Sequence, residues 1–224
     1  MIRTAIFLAC CLIGLVACQG PNKFELLMNG FALQCLKKTG GNDTFFTVMQ
    51  NSQFVTQCYG TEVNLEKLNT DIQNFGSVIN VREEVFRRQC PLFLNAVRCL
   101  DPVTSEARKC LDSKEQELLD ALTNAIPEGI KLACKNNGEI FFSSEGGPAS
   151  CSEAIFGYLG ECAERITDPS ALLHISTFNQ NQCDELTAVR SCLAAKLEEC
   201  KGPRWLEVFD LLYNPLIKAS PCKV

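Results

Sequence analysis

The sequence predicts an all-α protein built from two related, disulfide-stapled helical units that pack as one domain, and three features carry that expectation. Apolar residues recur at three- and four-residue intervals along most of the 224 positions. Strand patterning is confined to Ile140-Phe141-Phe142. Of the 15 cysteines, twelve follow the N-terminal apolar stretch, and their spacing in the first half is echoed in the second.

Met1 to Gly20 reads as a secretory leader. Arg3 supplies the positive end, Ile6 to Val16 form an apolar run too short to span a bilayer, and small residues follow. Cleavage after Cys18 divides the chain into a signal peptide (1–18), a first helical cysteine-rich unit (19–134) and a second (135–224). Leu15-Val16-Ala17-Cys18 also fits a bacterial lipoprotein signal, in which Cys18 is kept and acylated. No later segment is apolar enough for a membrane span.

Phe24, Leu27, Phe31 and Cys35 share one helical face, and Phe45 and Met49 open a second helix running to Cys58. Val81, Val85, Leu92 and Val97 mark a longer helix, in which Pro91 is expected to cause a kink or a restart. Asp101-Pro102 and Asp168-Pro169 each have the form of an N-cap followed by proline at the first helical position. Ser113-Lys114-Glu115-Gln116 has the form of a capping box ahead of Leu118, Leu119 and Leu122. Later helices are expected near 152–165, 184–200 and 204–216. Between the halves, Glu145-Gly146-Gly147-Pro148 reads as a loop, either a surface connection or a hinge or ligand lid.

The cysteines run Cys35, Cys58, Cys90, Cys99, Cys110 and Cys134, then Cys151, Cys162, Cys183, Cys192, Cys200 and Cys222. Each half contains C-x8-C, and Gln89-Cys90 with Ala96-Val97-Arg98-Cys99-Leu100 parallels Gln182-Cys183 with Ala188-Val189-Arg190-Ser191-Cys192-Leu193. Tandem duplication of one unit explains the echo, with Cys151 as the odd addition. Zinc ligation calls for close Cys-x2-4-Cys knuckles and histidines, and the chain past its leader has no such knuckle and one histidine, so disulfides are expected for all twelve. Residues nine apart on a helix point to nearly opposite sides. Cys90 and Cys99 are therefore expected to bond different partners, as are Cys183 and Cys192. The full pairing stays open, since twelve cysteines allow on the order of ten thousand connectivities.

Chemistry-bearing motifs are sparse. A net charge of −5 with no long basic run argues against nucleic acid or anionic lipid as partners. His174, in Leu172-Leu173-His174-Ile175, is the single histidine, and with no nucleophile elbow to pair with it the expected role is a hydrogen-bonded packing residue. Glu83-Glu84, Asp184-Glu185 and Glu198-Glu199 are adjacent pairs that diverge by about 100° on a helix and read as solvated faces. No catalytic, cofactor or metal residue is assigned. Asn42-Asp43-Thr44 is the one N-glycosylation sequon, placing the expected modification on Asn42 after the Gly40-Gly41 turn. Fourteen phenylalanines, among them Phe45-Phe46, Phe141-Phe142, Phe156, Phe178 and Phe209, either fill the core or line a cavity for an apolar ligand. Trp205, with Phe209 and Leu212 behind it, is expected to anchor the last helix to the core.

Glu145-Gly146-Gly147-Pro148, then Cys151 and Cys162, Cys183-Asp184-Glu185-Leu186, Lys196-Leu197-Glu198-Glu199-Cys200-Lys201 and Cys222 resemble the insect 27 kDa hemolymph glycoprotein family. The resemblance implies a helical glycoprotein secreted into body fluid, and it carries over no catalytic residue. The leading expectation is a secreted, non-enzymatic extracellular-fluid protein that binds or carries an apolar small molecule. Two alternatives stand beside it: a secreted protein-interaction component of immune defence, venom or saliva, and a hydrolase working through acidic residues.

Overall fold

The computed structural model describes residues 21–64, 67, 70, 79–141, 150–200 and 204–223. The leader with its expected cleavage at Cys18, and the loop around Gly146, lie outside the described residues. Eight α-helices are described: α1 (Pro21–Thr39), α2 (Asp43–Glu62), α3 (Ile79–Ala96), α4 (Asp101–Ala107), α5 (Ser113–Gly138), α6 (Ser150–Ala163), α7 (Gln180–Glu199) and α8 (Arg204–Ala219). Short 3-10 segments cover Val97–Leu100, Arg108–Cys110, Glu139–Phe141 and Pro169–Thr177. Among the described residues there is no strand.

Several sequence expectations shift by a residue or change kind. Ile140-Phe141, strand-like in sequence, lie in a 3-10 turn whose residues pack against helices: Ile140 is buried, and the Phe141 ring sits 5.9 Å from Phe86 and 5.2 Å from Trp205. Phe142 lies outside the described residues. Helix α3 runs through Pro91 as one element, and the change of helix type comes later, at Val97. Asp101 is the first residue of α4 and not its cap, because its backbone N–H already donates to Arg98 O from the preceding turn. Asp168 does cap its segment, its side chain accepting from Ser170 N at 3.0 Å.

The capping box of α5 begins at Asp112, one residue before the expected Ser113. Asp112 Oδ1 accepts from Glu115 N at 3.0 Å, while Glu115 Oε2 accepts from Asp112 N at 2.8 Å. Helix α7 opens on a second such box, Asn179 with Gln182, and therefore starts earlier than its apolar periodicity indicates. Helix α5 leaves helical geometry at Lys135, Asn136 (φ 50°) and Asn137 (φ 57°) and ends on Gly138 (φ 72°). A Cβ at Gly138 would run into the Phe86 ring, so this exit needs glycine for its conformation and its space.

Six disulfides close entirely within the two halves. They are Cys35–Cys110, Cys58–Cys99 and Cys90–Cys134 in the first, and Cys151–Cys200, Cys162–Cys192 and Cys183–Cys222 in the second. In each set the first cysteine joins the fifth, the second the fourth and the third the sixth. Cys151 is thus the counterpart of Cys35 and not an odd addition. Cys90 and Cys99 bond different partners, as do Cys183 and Cys192, which is what opposed positions on a helix require.

The halves pack on each other. Helix α5 lies along α8, and α1 lies against the Pro169–Thr177 segment. Leu118 of α5 shares a core with Ile175, Phe178, Leu186, Tyr213, Leu216 and Ile217 from the second half. Gly30 marks the close approach of α1: a Cβ there would stand 3.0 Å from Leu173 Cδ1. A second core joins α6, α7 and α8 through Ile155, Leu159, Leu193, Leu197, Trp205 and Val208, so Trp205 anchors the last helix. Arg190 of α7 forks onto Asp210 of α8 at 2.7 and 2.8 Å, a bond that holds the guanidinium pKa above its ordinary value.

Candidate functional site

Two features stand out from this packing, a polar junction between the halves and an apolar face left in solvent. At the junction, Glu115 is 6% exposed and each of its carboxylate oxygens is engaged. Oε2 accepts from Gln34 Nε2 of α1 at 2.6 Å in addition to the capping bond, and Oε1 faces His174 Nδ1 at 3.2 Å. The capping geometry of α5 fixes the carboxylate, α1 delivers Gln34, and the 3-10 segment delivers His174 at a residue whose backbone leaves the helical region (φ −123°, ψ 42°). Gln34 Oε1 is buried with no hydrogen bond.

His174 is hydrogen-bonded, as the sequence indicates, but it does not pack into the core. Its side chain is 58% exposed, with one ring nitrogen turned back onto a buried carboxylate. A His beside a carboxylate can in principle relay a proton. Here the carboxylate is already committed to Gln34 and the capping box, and no thiol joins the pair, since all twelve cysteines of the two sets are in bridges. The arrangement works as a clasp. Glu83, Glu84, Asp184, Glu198 and Glu199 lie exposed on their helices, and Glu185 accepts from Thr167 N and Oγ1. Among the described residues no group of three or more His, Cys, Asp or Glu side chains is placed to hold a metal ion. No helix among them is long and apolar enough to cross a membrane.

The exposed apolar side chains belong to the first two helices. Leu26, Leu33 and Leu36 of α1 and Phe46 and Phe54 of α2 are 42–68% exposed, the large apolar side chains of the described chain that remain in water. Leu26, Leu33 and Leu36, at spacings of seven and three, lie on one side of α1, opposite the buried Leu27, Gln34 and Cys35. In the turn joining the two helices sits Asn42, exposed, at the N-cap of α2, with its side chain capping nothing.

The phenylalanines do not converge on a cavity among the described residues. Phe178 is in the shared core, Phe209 stacks on Tyr213 at 5.7 Å, and Phe141 closes against Phe86 and Trp205. Phe45 meets Phe31 at 6.2 Å and Phe46 at 5.9 Å in the α1–α2 hairpin. The Phe156 side chain lies outside the described residues. Sequence reasoning missed Gln34 altogether. Its only signal was a polar residue beside Cys35 on an otherwise apolar helical face.

The fold and its bridges define a class: an all-α protein of two packed, three-disulfide halves with identical cysteine connectivity. The chain belongs to the family described as protein of unknown function (DUF1397), whose model covers residues 22–222. It is similar to the 27 kDa hemolymph protein of Galleria mellonella, 24% identical over 193 residues that cover 84% of this chain and 80% of the relative. It is also similar to the 27 kDa glycoprotein of Bombyx mori, 24% identical over 169 residues covering 74% of each. No solved structure matches the chain.

Proposed function

We propose that this protein is secreted into a hemolymph-type body fluid and acts there without catalysis, as a protein-interaction component that binds through the exposed apolar side of α1 and α2. The observation that carries the reading is the exposure of Leu26, Leu33, Leu36, Phe46 and Phe54 on one helical hairpin. Leaving large apolar side chains in water forgoes burial worth roughly 1.5–3 kcal/mol each, and such patches characteristically mark interaction sites. Six bridges and the leader both fit an oxidising, extracellular setting, and the names of the two relatives point the same way. The identical connectivity of residues 35–134 and 151–222 supports reading the chain as two copies of one unit, 19–134 and 135–224.

Carriage of an apolar small molecule has less support, because Phe31, Phe45, Phe86, Phe141, Phe178 and Phe209 pack on other rings or in the core, while Phe46 and Phe54 are exposed. The test uses protein secreted from insect cells with its own leader. A photo-crosslinking residue at position 33 should give a discrete protein adduct in body fluid, and the same residue at exposed position 184 of α7 should not. Equal, diffuse labelling from both positions would defeat the reading. Native mass spectrometry showing a stoichiometric apolar adduct, lost on denaturation, would replace it with small-molecule carriage.

A further inference from the structure

We propose that Asn42 carries an N-linked glycan whose innermost sugar lies against the ring of Phe46, so that the modification covers the turn end of the exposed apolar face. The proposal rests on reading Asn42 as a glycosylation position. Three features make the side chain a substrate for glycosyl transfer: the Asn42-Asp43-Thr44 sequon, the exposure of Asn42, and the absence of any capping bond from its amide.

The position of Phe46 gives the sugar a surface to lie on. Phe46 N donates to Asn42 O at 3.0 Å, so the two residues stand about one helical turn apart, about 6 Å along the axis, on the same side of α2. Helical side chains lean toward the N-terminus, which carries the Phe46 ring over the turn that holds Asn42. That ring is 58% exposed and makes an edge contact with Phe45 at 5.9 Å. A pyranose presents an apolar C–H face, and an aromatic ring within one turn of its attachment point is the surface it can cover at least cost in chain ordering. The glycan then bounds the apolar face at this end and leaves Leu26 and Leu33, farther along α1, open.

The test compares wild type, Thr44→Ala, Phe46→Ala and the double variant, all secreted from eukaryotic cells, with Thr44→Ser as the variant that keeps the sequon. Intact mass before and after enzymatic deglycosylation reports whether the sugar is attached. Thermal melts then report whether it touches Phe46. Loss of the glycan, by Thr44→Ala or by enzyme, is expected to lower Tm by about 2–4 °C in the wild-type background and by less than about 0.5 °C when Phe46 is alanine, with Thr44→Ser behaving as wild type. An equal drop in both backgrounds, or no drop in either, would overturn the contact while leaving glycosylation standing. An unmodified mass would overturn the glycosylation reading itself, and the contact with it.

Discussion

Gln34 donates a 2.6 Å hydrogen bond to Glu115 across 81 positions of sequence, and through that carboxylate α1 is tied to the first turn of α5 and, by way of His174, to the second half. The carboxylate caps a helix and clasps three segments at once. Replacing Glu115 with alanine removes the reciprocal half of the capping box, the bond from Asp112 N, at about 1 kcal/mol, while Asp112 still caps the helix; it also leaves Gln34 Nε2 buried without an acceptor, at about 1–3 kcal/mol more. Glu115→Ala should lose about 3 kcal/mol in urea melts run with disulfides intact. Glu115→Gln, which can still close the capping box, should lose less than half of that, and equal losses would remove the clasp from the account.

The bridges make a prediction about chemistry in solution. Peptide mapping of unreduced protein should recover the order first–fifth, second–fourth, third–sixth in both halves, with no peptide linking one half to the other. Removing both members of Cys162–Cys192 should cost about 2–4 kcal/mol. Removing Cys162 alone should cost more in secreted yield, because it leaves the partly buried Cys192 thiol free to exchange.

Two glycines should respond in opposite directions. Gly138→Ala forces a side chain into a left-handed conformation and into Phe86, and should destabilise by about 2–4 kcal/mol. Gly60→Ala, inside α2 with no atom within 4 Å of the new Cβ, should stabilise by about 0.5–1 kcal/mol. Chemical denaturation of both variants checks the contrast, and a neutral Gly138→Ala would mean the α5 exit is not built as described.

Tyr59 is buried beside Phe93, its hydroxyl has no hydrogen-bond partner, and burial pushes the phenol pKa up from its ordinary 10.0. Below that ordinary value both states keep the proton and stability is unaffected. Above it the unfolded chain ionises first, so stability falls as pH rises toward the folded pKa. Tyr59→Phe should therefore hold or raise stability by up to about 1 kcal/mol at neutral pH, and flatten the decline that sets in above about pH 10. A marked loss at neutral pH would show that the hydroxyl has a partner after all.

Much of the fold was legible because its signals are local. The periodicity around Leu27 and Cys35, the proline after Asp168 and the opposed positions of Cys90 and Cys99 act within a few residues, and each emerged as read. The misreadings have local causes too. Asp112 and Ser113 are both competent caps, and only the reach of Glu115 selects the first. Ile140-Phe141 carry strand-like residues, but a strand needs a partner edge, and here Trp205 and Phe86 supply packing instead.

By itself the sequence determined an all-α fold, the approximate helices, the twelve cysteines of the two echoing sets and the exposed sequon turn at Asn42, because helix formation and turn chemistry depend on near neighbours. It could not determine which cysteines join, since pairing depends on which helix faces meet. Nor could it show that Gln34, Glu115 and His174 converge, or that Leu33 and Phe46 stay in water while Leu27 and Val48 are buried. Those outcomes are set by how helices pack within each half, α2 on α4 in the first, and by how α1 and α5 dock on the second half, where contacts between residues tens of positions apart decide which side of each helix is covered.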